Sequence, residues 1–139
     1  MGLQRFIKRS PWVFHLNTGG CNACDIEILA ALTPRYDAER FGVKLVGSPR
    51  HADILVVSGP MTRKDVEKAK RIYEQMPSPK AVVAVGVCTM GGSVFHDSPF
   101  VTAPISDHIP VDVYIPGCPP RPEAILHGIL EALEKLEVE

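Results

Sequence analysis

The sequence of 139 residues predicts a single α/β domain built on a mainly parallel β-sheet with helices on both faces. Two runs, Asp53-Ile54-Leu55-Val56-Val57-Ser58 and Ala81-Val82-Val83-Ala84-Val85, are apolar without polar alternation, the mark of strands covered on both faces. Stretches of helical period separate the strand-like runs, and that alternation gives parallel sheets joined by right-handed crossovers. The length suits one hydrophobic core, since single domains commonly hold about 100–200 residues.

Trp12-Val13-Phe14-His15-Leu16 is aromatic and β-branched and stops at the turn Asn17-Thr18-Gly19-Gly20, so it reads as the first strand. Cys21 and Cys24 follow directly. From Asp25, which suits an N-cap, Ile26, Leu29 and Ala30 fall on one helical face and Pro34 closes the helix. Val43 to Val46 precedes Asp53 too closely for a parallel crossover between them, which takes a dozen or more residues. It is expected as an edge strand, for which an antiparallel course is open. Thr62 and Asp65 open the next helix, which runs to Gln75 before Pro77.

The strand Ala81–Val85 ends at Gly86-Val87-Cys88, and the strand Val111–Ile115 leads into Pro116-Gly117-Cys118-Pro119-Pro120. Phe95 to Pro110 has no clear period and is expected as a surface loop. The last helix carries Pro122 in its first turn, Glu123 where the helix dipole favours a carboxylate, and an apolar stripe of Ile125, Leu126, Ile129, Leu130, Leu133 and Leu136. The expected winding is flavodoxin-like.

Apolar residues make up 45% of the chain, charged residues 22%, and the net charge is -1, which describes a globular protein without the basic footprint of a nucleic-acid binder. The longest apolar run, Ala81 to Cys88, falls far short of the ~18 residues of a transmembrane helix, so any membrane association goes through partners. Met1 to Pro11 carries Arg5, Lys8 and Arg9 but neither the apolar core nor the cleavage site of an export signal, and Phe6 stands where myristoylation needs Ser or Thr. Residues 1–11 are expected as a basic arm, docking or merely solvated, ahead of one domain over residues 12–139.

Four thiols in a reducing compartment are more often metal ligands or catalytic groups than structural disulfides. In an open parallel sheet the ligand site lies beyond the carboxyl ends of the strands, and Cys21, Cys24, Cys88 and Cys118 all fall on segments leaving those ends. Convergence on one site is thus predicted. Structural zinc usually takes two C-x-x-C knuckles, whereas here the second half is split between two strands. Pro119 after Cys118 matches the Cys-Pro ending of bacterial ferredoxin runs, and the surrounding glycines let backbone N–H groups approach cluster sulfurs. The spacing favours an iron–sulfur cluster. A zinc-stabilised α/β binding module, and a thioredoxin-like pair at Cys21 and Cys24, remain open on these residues.

Three segments, Gly20-Cys21-Asn22-Ala23-Cys24-Asp25-Ile26-Glu27, Gly47-Ser48-Pro49-Arg50-His51-Ala52-Asp53 and Val111-Asp112-Val113-Tyr114-Ile115-Pro116-Gly117-Cys118-Pro119-Pro120, resemble the small electron-transfer subunit of energy-converting membrane-bound [NiFe] hydrogenases. The similarity extends over nearly the whole chain. The fold and cysteine loops also resemble the cluster-bearing subunit of respiratory complex I, where the first pair is adjacent cysteines; the C-x-x-C here favours the hydrogenase branch.

The resemblance implies that Cys21, Cys24, Cys88 and Cys118 bind one [4Fe-4S] cluster next to a large catalytic subunit that carries the nickel–iron centre. It further implies a two-cluster ferredoxin-like subunit as electron donor, membrane-arm subunits, and a peripheral place on the cytoplasmic face of the membrane. The activity it implies is proton reduction coupled to ion pumping. The hydrogenases of the family commonly read Cys-Asn-Gly-Cys, and Ala23 departs from this. A sister complex, of sulfane sulfur reductase or NADH/ferredoxin–quinone oxidoreductase type, would use the same small subunit.

In resembling proteins the position of Glu27 faces the large subunit, where a carboxylate relays protons; the alternative is a carboxylate stabilised by the helix N-terminus. Ser48, Pro49, Arg50 and His51 look like a segment lining the quinone-cavity side of complex I, or else form a solvated loop. His15, His96, His108 and His127 lack paired ligand spacing and receive no function.

Overall fold

The computed structural model describes residues 10–102 and 104–138. The basic residues Arg5, Lys8 and Arg9 of the expected N-terminal arm lie outside the described residues. Five strands, β1 (Trp12–Asn17), β2 (Lys44–Leu45), β3 (Ile54–Ser58), β4 (Ala81–Val85) and β5 (Val113–Ile115), form one sheet in the order β2-β1-β3-β4-β5. Every pairing is parallel. This is the flavodoxin-like order, with the winding direction switching between β1 and β3.

The α-helices are α1 (Asn22–Ala31), α2 (Val66–Gln75), the short α3 (Val87–Gly91) and α4 (Pro122–Val138). α1 and α4 pack on one face, where Ile28, Ala31, Ile125, Ile129 and Leu133 meet Ile54, Val56, Val83 and Val85. On the other face Ala69 of α2 and Met76 cover Leu55, Val57, Val82 and Ala84. Alternate residues of β3 and β4 thus enter opposite cores, which explains why both strands are apolar throughout.

The 43–46 piece is an edge strand as expected, but β2 runs parallel to β1. Its neighbour is β1, reached by way of α1. The short link onward to β3 suffices because β2 is two residues long and pairs only with Trp12 and Val13, the level at which β3 begins. Phe95–Pro110 is also more than a surface loop. Ile105 and Ile109 are buried in the second core, around a 3₁₀ turn at Ile105–Asp107, and they cover sheet that a longer crossover helix would otherwise cover.

Two expectations for α1 are corrected. Its N-cap is Cys21, and Asp25 lies inside the first turn, because the backbone becomes helical as soon as the Gly19-Gly20 turn ends. Its buried stripe is Cys24, Ile28 and Ala31, while Ile26 and Leu29 are 56% and 53% exposed. A helix with apolar residues on both sides offers two stripes of correct period, and contact with α4 selects one. Among the described residues no helix is long and apolar enough to cross a membrane.

Candidate metal centre

β1 ends at Asn17, whose side-chain oxygen accepts the backbone N–H groups of Gly19 at 2.8 Å and Gly20 at 2.9 Å. Those two bonds bend the chain out of the sheet and deliver Cys21 to the start of α1. Thr18, fully buried, seats its hydroxyl 3.0–3.1 Å from the carbonyl oxygens of Ser58, Gly59 and Pro60, tying the turn to the end of β3. The two loops touch at Gly20 and Gly59, where a Cβ on Gly20 would stand 2.5 Å from the Gly59 Cα.

On the far side of β3, Gly86 leaves β4 and its N–H donates to Ile115 O at 2.8 Å, while Val87 N–H donates to Gly117 O at 3.0 Å. These bonds clip the segment carrying Cys88 to the loop carrying Cys118. Gly86 also meets Cys24: it has φ +90°, and a Cβ there would lie 2.9 Å from Cys24 Sγ. The ends of β1, β4 and β5 are thereby gathered. Cys24 and Cys88 sit in helical first turns, of α1 and α3, where loops were expected.

Cys24 is buried, Cys88 half-buried, and Cys21 and Cys118 are exposed; all four are free thiols. Burial pushes the Cys24 thiol up from 9.0 to about 11, with Cys21, Cys88, Cys118 and Asp25 adding to the shift. Burial also raises the Cys88 thiol, helped by Cys118 and Cys21. Cys24 and Cys88 thus each lie within electrostatic reach of the other three thiols. Four thiolates in this space would repel one another, and a cationic centre would supply the compensating charge as the thiols released their protons.

The donor set is all sulfur, which suits zinc or an iron–sulfur centre. Four Sγ atoms around one zinc stand about 3.8 Å apart, given Zn–S bonds of about 2.3 Å. Among the described residues, no three His, Cys, Asp or Glu side chains converge closely enough for a single metal ion. A [4Fe-4S] cluster takes one thiolate at each of its irons and so fits a wider set of thiols.

Below the C-x-x-C turn lies a polar group that spacing did not reveal. Asp25 accepts hydrogen bonds from Asn17 Nδ2, from Ser58 Oγ at 2.6 Å and from His15 Nε2 at 3.0 Å. His15 had been assigned no function; strand alternation, which puts it on the same face of β1 as Asn17 at the carboxyl end, is the signal that would have linked them. Glu27 is half-buried one turn into α1. Pro49–His51, with Ser48 extended before it, forms a 3₁₀ turn ahead of β3, toward the amino end of the sheet and away from the cysteines.

A family model described as NADH ubiquinone oxidoreductase, 20 Kd subunit, matches residues 21–132, a span that includes all four cysteines. The chain is 70% identical over 134 residues to the probable membrane-bound hydrogenase subunit mbhJ of Pyrococcus furiosus, covering 96% of this chain and 80% of that one. It is 50% identical over 135 residues to formate hydrogenlyase subunit 7 of Escherichia coli, covering 97% of this chain and 53% of that relative. Among solved structures, it matches a chain of the archaeal membrane-bound sulfane sulfur reductase with a TM-score of 0.85 and 37% identity, over 98% of this chain and 75% of that chain. These relatives are named as components of oxidoreductase complexes, and the chain belongs to the family of the NADH ubiquinone oxidoreductase 20 Kd subunit.

Proposed function

We propose that Cys21, Cys24, Cys88 and Cys118 bind one [4Fe-4S] cluster, and that the chain is the electron-transfer subunit of a membrane-bound hydrogenase-type complex. The observation that carries this is the gathering of four thiols from three strand ends, with Cys24 held against Gly86 and clipped loops under Cys88 and Cys118. The cluster supplies one-electron storage beside the active site of a large catalytic subunit, which receives electrons that a two-cluster ferredoxin-like subunit provides. The complex sits on the cytoplasmic face of the membrane through its membrane-arm subunits.

An apolar surface beside the cysteines supports the large-subunit contact. Ile26 and Leu29 project from the outer side of α1, and Val94 and Phe95 follow Cys88 in the chain, with Val94 85% exposed. Large apolar side chains left in water in groups mark interaction surfaces. Glu27 shares the outer turn of α1 with Ile26, and we assign it a proton relay at that contact. A Glu27→Gln complex that kept full turnover and an unchanged solvent isotope effect would remove that role.

Anaerobically purified protein is expected to hold about four iron and four acid-labile sulfide per chain, with Cys88→Ser or Cys118→Ser losing both. Stoichiometric zinc without sulfide would overturn the proposal in favour of a zinc-stabilised module. Ala23, in the first turn of α1, and the likeness to the sulfane sulfur reductase favour a second reading in which the large subunit reduces sulfane sulfur instead of protons. Hydrogen evolution and sulfide production by the purified complex separate the two.

A further inference from the structure

Asp25 lies one residue beyond Cys24, the buried member of the four thiols. Its side chain is 15% exposed, and all three of its donors come from the sheet: Asn17 Nδ2 from the end of β1, Ser58 Oγ from the end of β3, and His15 Nε2. Asn17 and Ser58 face each other in register across the two strands. The orientation of the Asn17 amide is fixed, because its oxygen is occupied by the N–H groups of Gly19 and Gly20, leaving its Nδ2 to Asp25. A carboxylate only accepts, and the Ser58 hydroxyl proton is committed to it at 2.6 Å, so His15 Nε2, which lies 3.0 Å from Asp25 Oδ1 and 3.1 Å from Ser58 Oγ, presents an N–H to them.

Among the described residues no lysine or arginine pairs with Asp25. Its carboxylate is held in place by hydrogen-bond donors, at a site partly shielded from water. Asp25 follows Cys24 directly in the first turn of α1, so its charge stands beside that thiol. A fixed negative charge beside a redox centre disfavours the added electron, and the potentials of iron–sulfur clusters follow net charge, hydrogen bonding and exposure.

We propose that Asp25 holds the reduction potential of the bound cluster low, with His15, Asn17 and Ser58 as positioning residues that fix its carboxylate beside Cys24. The proposal rests on the four-cysteine cluster described above. It deepens that assignment by naming groups on this chain that tune the centre without ligating it.

The test is an EPR-monitored redox titration of the purified complex, following the signal that Cys88→Ser abolishes. Asp25→Asn removes the charge at nearly constant size and is expected to shift the midpoint upward. Ser58→Ala keeps the carboxylate but deletes a donor that disperses its charge, and is expected to shift the midpoint downward. Loss of packing alone would not give shifts of opposite sign. An Asp25→Asn midpoint that is unmoved or lower overturns the proposal. Should that variant lack the signal, a Ser58→Ala midpoint that is unmoved or higher does the same. If no signal depends on Cys88, it is the cluster assignment that fails, and the two failures are thus distinct.

Discussion

At Gly86 two separate constraints meet: a left-handed backbone, with φ +90°, and a space that Cys24 Sγ already fills. An alanine would be strained in the first respect and would displace the proposed ligand in the second. Gly86→Ala is therefore expected to lose iron and sulfide, read from metal analysis and visible absorption. Gly91→Ala, a few residues on where a Cβ meets nothing within 4 Å, is the matched control and should keep both. The raised Cys24 thiol gives a pH signature to the metal-free protein. Between 9.0 and about 11 the unfolded chain has released this proton while the folded chain retains it. Stability is therefore fully present below pH 9.0 and is lost as pH rises through about 11. Urea midpoints under reducing conditions at about pH 8 and about pH 10 should fall across that window, and less steeply in Cys24→Ala. The cysteines were legible because chemistry marks them wherever they stand. His15 was not, since its partner Asp25 reaches it from α1 and its partner Ser58, 43 residues away, joins it only through the β1–β3 pairing.

At the scale of the element, α1 has two apolar sides, one buried and one exposed. Ile28 is buried against α4, and Ile28→Ala should cost about 2–5 kcal/mol in chemical denaturation. Ile26 and Leu29 face outward, so serine at both should change the stability of the isolated chain by no more than about 0.5 kcal/mol. The same double variant should lose co-purification with the large subunit. Helical period alone chose the outward pair as the core face, because either stripe satisfies the pattern and only the neighbour decides. Strands β3 and β4 were legible for the opposite reason: both of their faces are covered, so no choice of face arises. The Ile105–Ile109 segment escaped notice because its burial comes without any period, through single side chains dropped onto the sheet from irregular backbone.

The whole molecule keeps its core and its thiols largely apart. Of the four cysteines only Cys24 belongs to a core cluster, so the sheet should stand without the metal. Cys118→Ser is expected to retain its far-UV circular dichroism and a cooperative melt while losing the cluster, unlike zinc fingers, which unfold when their metal is removed. The parallel sheet and its flavodoxin-like winding could be inferred from alternating elements, whereas the direction of β2 could not, because it depends on how little of β1 that strand covers. One consequence concerns the order of events in making the protein. The thiols are spread from residue 21 to residue 118, and the last of them is placed only when β5 has docked on β4 and Gly117 has accepted the Val87 N–H. A cofactor needing all four would be inserted only after translation has passed residue 118, so the nascent chain would emerge with its first cysteine pair unprotected and dependent on a reducing environment until that moment.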